Sequence, residues 1–416
     1  LVGSEMCIRD RVTGSSKFGA NNRYGNFWSA GLGWNIHNES FVTSSKIDIL
    51  KIRGSLGYTG KVNFSPFQAM TMYQFSGDLE YLNGIGAVPQ GIGNEDLGWE
   101  RELSYNLGTD ISLFDRRLNF TFDIYLKKTT DLVLDASRAP STGTTSTKEN
   151  IGEMENKGLE FQVDGMLVQR NDFYWQVAAT GSMNRNRILK INSALKKANE
   201  DANKVDSKTP LAQYEEGEST TALKVVKSAG IDPATGQEVF IKLNGERTFE
   251  YSADDKFVIG DTEPRFRGTV STNLFYKGFS LYLLGRYECG AYLYNETRAT
   301  KVEGANPKKN ADKRVFDSRW KNPGDIAFYK DIADSDGWGT NPKHSDRFVE
   351  KENVFTLGTV NFGYEFGQNI CSKIGVRNLR VGVNLTDIVR WSNVKIERGT
   401  TYLYSNGFEF TLSTTF

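Results

Sequence analysis

Apolar and polar residues alternate along most of this chain. The plainest case is LNFTFDIYLK, where Leu118, Phe120, Phe122, Ile124 and Leu126 oppose Asn119, Thr121, Asp123, Tyr125 and Lys127. Period two marks a strand with unlike faces, because successive side chains of extended backbone point to opposite sides. NFWSAGLGWNI sets Trp28, Ala30, Leu32, Trp34 and Ile36 against Phe27, Ser29, Gly31, Gly33 and Asn35, and KIRGSLGY and YNLGTDISL repeat the pattern. Similar segments fall near 158–168, 173–185, 266–276, 279–288, 354–366 and 379–389. The last strand is FEFTLSTTF, with Phe408, Phe410, Leu412, Thr414 and Phe416 on one face. The pattern predicts an all-β fold of about eleven strands.

The connections alternate in length. Short turns are expected at His37–Ser45, Asp115–Arg117, Gln169–Asp172, Lys277–Gly278 and around Gly367–Asn378. Long polar stretches lie between them at 59–100, 128–157, 188–264, 289–353 and 390–405. Short turns on one side and long loops on the other are the habit of an antiparallel transmembrane β-barrel, with periplasmic turns and extracellular loops. Trp28, Trp34, Trp99, Tyr105 and Trp175 lie near strand ends, as girdle aromatics would. A soluble sandwich would turn the apolar faces into a core, but the opposite faces here are too polar for a dry partner. Phe416 falls on the short-turn side. Eleven strands would leave two open edges in lipid, so the chain reads as part of a larger barrel.

Composition modifies this little. The 51 basic and 51 acidic side chains cancel, which gives no case for nucleic acid. Mean hydropathy is negative and no stretch approaches the roughly 20 apolar residues of a membrane helix, but alternating barrel strands escape both measures. The 41 glycines and 12% aromatics suit a turn-rich β protein. Cys7, Cys289 and Cys371 show no ligand spacing, and His37 and His344 read as ordinary loop residues. The opening LVGSEMCIRDR differs in character from the rest of the chain and resembles translated sequencing adapter. Residues 1–11 are therefore set apart as non-native, with 12–416 as the barrel domain.

Candidate chemistry is sparse. Glu215–Glu216 and Asp254–Asp255 could be drawn as glycosidase acids, yet they sit in charged loops and read better as solvated. DIADSDGWG, with Asp331, Asp334 and Asp336, lacks the spacing of a calcium loop. NGIGAVPQGIGN does not fit a dinucleotide fingerprint. Two histidines in loops make no nucleophilic triad, so no catalytic residue, metal or cofactor is assigned. Trp320, Phe328, Tyr329 and Trp338 could stack on sugar rings, with Trp320 and Trp338 the candidate substrate contacts. Packing of the long loop against itself is the favoured alternative.

Several strings resemble one family, the SusC/RagA-type TonB-dependent outer-membrane transporters of Bacteroidetes. They are GLGWNIHNESF with LKIRGSLGYTG, NEDLGWERELSYNLGTDISLFDRRLNFTFDIYLKKTTDLVL, NIGEMENKGLEF, GDTEPRFRGTVSTNLFYKGFSL, SDRFVEKENVFTLGTVNFGYEF and LRVGVNLTDIV. Thr269, Thr356 and Thr359 depart from the family's usual Gly, Arg and Asn. The resemblance runs from about Asn21 to Phe416 and corresponds to the C-terminal half of a plugged barrel. It implies a non-enzymatic nutrient importer, in which a SusD-like lipoprotein lid holds a glycan oligosaccharide or peptide and TonB acts through an N-terminal region absent here. In that setting Phe408, Phe410, Leu412 and Phe416 would form the barrel-insertion signal, facing outer-membrane lipid. The rival readings are a complete smaller porin-type channel and a soluble or surface β-rich carbohydrate-binding protein or hydrolase.

Overall fold

The structure is a computed structural model that describes residues 3–81, 84–137, 146–205, 207–306, 308, 310–333, 342–397 and 405–416. Among the described residues twelve long antiparallel strands follow one another. They are β1 (Ser4–Gly14), β2 (Tyr24–Asn35), β3 (Ile47–Lys61), β4 (Glu100–Leu113), β5 (Leu118–Ser137), β6 (Ser146–Arg170), β7 (Phe173–Lys190), β8 (Phe266–Tyr276), β9 (Phe279–Tyr294), β10 (Val349–Glu365), β11 (Asn378–Ser392) and β12 (Gly407–Thr415). Twelve replaces the expected eleven, and parity no longer bears on whether the strands belong to a larger barrel. The added strand is β1, which takes in most of the stretch set apart as adapter-derived. It pairs with β2 from Ser4↔Trp34 to Gly14↔Tyr24.

The chain divides into two compact units. The first holds Leu1–Asp164, Ser182–Glu200 and Tyr214–Thr220; the second holds Gly165–Gly181, Asp201–Gln213 and Thr221–Phe416. In the first unit the strand order is β1-β2-β3-β4-β5-β6-β7, and in the second β6-β7-β8-β9-β10-β11-β12.

Register turns the sequence alternation into two faces. In the first unit one cross-strand row reads Met6, Leu32, Gly54, Leu107, Ile124. The neighbouring row, one residue along, reads Glu5, Gly33, Arg53, Gly108, Asp123. Leu32, Leu107 and Ile124 are exposed, which in water would be costly and in lipid is the favourable arrangement. On the polar row Arg53 donates from Nε to Asp110 at 3.0 Å and from its terminal nitrogen to Asp123 at 2.6 Å. Gly108 makes room for this group, since a Cβ there would sit 2.5 Å from Asp123 Oδ1 and 2.7 Å from Arg53 Cζ.

Two expectations in this unit are corrected. The stretch 128–157 is not one long loop, because β5 and β6 run on as far as Ser137 and from Ser146. Ladder bonds need only backbone groups, so a strand persists after its side-chain alternation has faded. Trp99 is not a girdle residue. It lies 4.3 Å from Phe18 and 5.1 Å from Phe27, centroid to centroid, in a cluster that also takes in Phe64. The bare backbone of Gly60 lets Phe27 and Trp99 close over it, with a would-be Cβ only 2.2 Å from the Phe27 ring. Trp28, Trp34, Tyr105 and Trp175 do remain exposed.

The second unit repeats the two faces. One row reads Leu274, Leu281, Phe362, Val383, Phe410, and the next reads Asn273, Tyr282, Asn361, Asn384, Glu409. Its β8–β9 turn is Lys277-Gly278, both at positive φ (46° and 93°), the two-residue hairpin turn whose twist matches the strands. Long loops carry their own structure. Within the 188–264 stretch a four-stranded sheet forms, ordered Arg247–Thr248, Glu238–Ile241, Ala222–Ile231, Lys256–Asp261. Cys7, Cys289 and Cys371 are free thiols.

Candidate functional site

The loop end of the second unit is where polar chemistry gathers. Its core is apolar: Ala299, Val302, Tyr329 and Phe348 are buried together, with Tyr294 and Phe328 packed against them. A short helical turn at Asp346–Phe348 places Phe348 in that core and lays the Arg347 guanidinium over the Phe348 ring, 4.8 Å from its centre. The Arg347 guanidinium donates to both oxygens of Glu238, at 2.7 and 2.6 Å, and to both of Glu303, at 2.8 and 2.9 Å. It also donates to the Phe328 carbonyl. All three charged side chains are about 5–6% exposed. Arg347 therefore fastens the loop between β9 and β10 to the four-stranded sheet.

Two carboxylates share that one cation, and their environment shows it. Burial, reinforced by the charge of Glu238, pushes the Glu303 carboxyl above its ordinary range against the pull of Arg347. Burial pulls Arg347 down, but the charges and hydrogen bonds of the two carboxylates outweigh it and hold the guanidinium above its ordinary value. Arg319 works beside it on backbone. It donates to the carbonyls of Val315 (2.6 Å), Val302 (2.6 Å), Glu303 (3.1 Å) and Lys330 (2.9 Å), so it satisfies the end of the turn Arg298–Glu303.

Next to this core, where β8, β9 and β10 end, lies a cleft of about 390 Å³. Leu223, Thr262, Arg267, Glu288, Tyr292 and Glu352 line it. Arg267 and Glu288 are register partners across β8 and β9. Glu352 accepts from Arg390 and, at 2.8 Å, from Ser392. The Tyr292 ring lies flat over Gly260, where a Cβ would come within 2.2 Å of it. Donors, acceptors and an aromatic edge in one concave place suit a polar, neutral or mixed-charge ligand.

The residues proposed from sequence are distributed differently. Trp320 is 9% exposed, packs on Gly236 and donates its indole N–H to the Pro233 carbonyl at 2.9 Å. It serves loop packing and offers a sugar no open face. Tyr329 belongs to the buried core and Phe328 packs against it. Trp338, Asp334 and Asp336 lie outside the described residues. His344, expected as an ordinary loop residue, is 7% exposed with Nε2 3.0 Å from the Ser207 carbonyl. Phe408, Phe410 and Leu412 lie on one face of β12, opposite Leu385, Val383 and Val381, and Phe416 extends past the ladder. Sequence reading missed the cleft and the Arg347 clamp. Arg267 and Glu288 sit at polar positions of alternating strands, which is the one signal that pointed to them.

Comparison with known proteins settles the family. Residues 9–384 match the family described as TonB dependent receptor-like, beta-barrel. This chain belongs to that family. TonB-dependent receptor P39 of Formosa agariphila is 27% identical over 433 aligned positions, covering 92% of this chain and 40% of the relative. TonB-dependent receptor SusC of Bacteroides thetaiotaomicron is 32% identical over 194 positions, 44% of this chain and 19% of SusC. The structure of the RagAB peptide transporter superposes with a TM-score of 0.80 at 22% identity, covering 94% of this chain and 43% of that one. The chain thus spans about 40% of the length of the curated relatives that it matches most fully. It is a β-barrel sequence of the outer membrane, where exposed apolar rows are suited to face lipid.

Proposed function

We propose that this chain is the barrel portion of a TonB-dependent outer-membrane importer that takes up oligosaccharides together with a SusD-like lipoprotein. The observation that carries the reading is the polar strand face of the second unit, which leads to the cleft of Arg267, Glu288, Tyr292 and Glu352. A lipid-exposed outer face with a hydrogen-bonding inner face suits passage of a hydrophilic solute, and a ring with paired charges suits hydroxyl-rich ligands. Family membership supports TonB as the energy source, and likeness to SusC supports the lipoprotein partner. Peptides are the second substrate class, since RagAB is described as a peptide transporter. The chain works as wall and loops rather than as an enzyme. On the same reading Phe408, Phe410, Leu412 and Phe416 direct barrel insertion, and residues 12–416 form the receptor domain with 1–11 as a non-native stretch.

The test uses the full-length receptor in its own outer membrane. Labelled oligosaccharides and peptides are offered to cells with and without TonB, and to cells carrying Arg267→Ala with Glu288→Ala. Uptake of a neutral oligosaccharide that vanishes without TonB and falls in the double variant supports the proposal. Uptake indifferent to TonB overturns it, and uptake of peptides alone reassigns the substrate.

A further inference from the structure

A second pocket of the second unit, about 340 Å³, lies among Ala202–Val205, Ser207, Leu211, the segment Tyr251–Lys256 and Pro342–His344. Its character differs from that of the cleft. Lys204, Lys256 and Lys343 line it together with His344, and among the described lining residues none is acidic. Lys256 opens the strand Lys256–Asp261, where it pairs with Val226, so its backbone is held by the sheet. The half-buried Nζ donates at 3.0 Å to the Asn203 side-chain oxygen, which also accepts from Gln213. Among the described residues Lys256 makes no ion pair. The nearby charges acting on it are Asp254, which favours its cation, and Lys224, which opposes it. Burial, as the largest influence, draws the ammonium below its ordinary value.

An ammonium partly withdrawn from water and set on a neutral amide has lost hydration that the charge of Asp254 only partly offsets. The other cations add to the same field. Lys343 holds its Nζ 5.6 Å from the centre of the Tyr251 ring, and the exposed Lys204 reaches Asp201 at 3.4 Å. Burial raises the Tyr251 hydroxyl to about 12, although the His344 backbone pulls the other way, so it remains a neutral hydrogen-bonding group at any working pH. Among the described lining residues a small anion entering here would find one sheltered cation, two further lysines and uncharged polar groups.

We propose that this pocket binds the carboxylate of a small soluble acidic ligand, with Lys256 as its ion partner and Lys204 and Lys343 at the entrance. The site is separate from the cleft of Arg267 and Glu288 and does not depend on what passes the barrel. A carboxylate can come from a uronic acid oligomer or from an acidic peptide, and both present the same group to Lys256.

Binding to the full-length receptor in detergent is measured by calorimetry with trigalacturonate, with triglutamate and with neutral maltotriose. At least one acidic ligand is expected to bind and maltotriose not to. Which acid binds identifies the source of the carboxylate. Lys256→Gln should weaken binding about tenfold or more, the scale of a lost charged hydrogen bond, while Lys256→Arg keeps most of it. Added salt should weaken binding in the wild type. If Lys256→Gln does not assemble, Lys343→Gln carries the same direction of change. The proposal is overturned if neither acid binds, if maltotriose binds as well as they do, or if the glutamine variants bind like wild type. TonB-dependent uptake, measured separately, is unaffected by such a failure.

Discussion

Replacing Arg347 by methionine removes its four hydrogen bonds to carboxylates and the one to the Phe328 carbonyl, and leaves Glu238 and Glu303 without their shared cation. Removing one partner of a buried ion pair costs ~3–5 kcal/mol, because the charge left behind has no water to turn to. Here two carboxylates are left, so the upper half of that range is expected. At 1.4 kcal/mol per tenfold, this amounts to roughly three powers of ten in the local opening equilibrium. The effect should stay in the loops, because β9 and β10 are held by their own ladder from Phe279↔Tyr364 to Tyr294↔Val349. Hydrogen exchange on the assembled receptor reads this directly. Amides of Ala299–Glu303 and Asp346–Phe348 should lose protection, and those of the ladder should keep it. The pH dependence has a defined sign. Glu303 is already raised by burial, and without Arg347, which pulls it down, it rises further. A group with a raised folded-state value stabilises fully below its unfolded value and ceases to do so as pH rises through the folded one. The loss in Arg347→Met should therefore be smaller at pH 5 than at pH 8. Adding Glu238→Gln and Glu303→Gln to the methionine variant should recover most of the protection, since no buried charge then remains. Unchanged loop protection in Arg347→Met would refute the clamp.

Other expectations are equally specific. Gly108→Val should displace Arg53 from Asp110 and Asp123, at a cost of about 1–3 kcal/mol for overpacking, read as a lower denaturation midpoint of the assembled barrel. A midpoint equal to wild type would show that the polar row does not need the bare glycine. Phe410→Arg on the apolar row should reduce the heat-modifiable folded band, at ~2–4 kcal/mol near mid-membrane, whereas Thr411→Arg on the other face should be mild. Equal effects would contradict the assignment of faces. Arg314 holds Asp312 at about 2, chiefly through their side-chain hydrogen bond, against an ordinary value of 3.8. A depressed carboxyl stabilises above its unfolded value and ceases to as pH falls through the folded one, so pepsin cleavage near 312–316 should rise between about pH 4 and 2. Asp312→Asn should remove that rise, and an identical rise in both proteins would assign it to another group.

How much is legible in the sequence depends on the range over which each interaction acts. Strand alternation is local: Leu118 to Lys127 declare two faces within ten residues, and the rows of Leu107 with Ile124 and of Val383 with Phe410 came out as the alternation implied. The short turns were legible for the same reason, because Lys277-Gly278 carries its turn geometry in two residues. Family resemblance was likewise carried by short strings. Where alternation faded, sequence reading placed loops in the stretch 128–157, and backbone pairing carried the strands on. Trp99 looked like an interfacial aromatic because nothing nearby in the chain announces Phe18 as its neighbour, and for Trp320 loop packing was favoured without its partner Gly236 being legible. The clamp is the extreme case. Glu238 stands 109 residues from Arg347 and Glu303 stands 44 away, with no periodicity linking them. By itself the sequence determined strand faces, turns and family. Which loop residues become buried partners was decided only by the tertiary structure, because burial and pairing of charges depend on segments that meet in space and not along the chain.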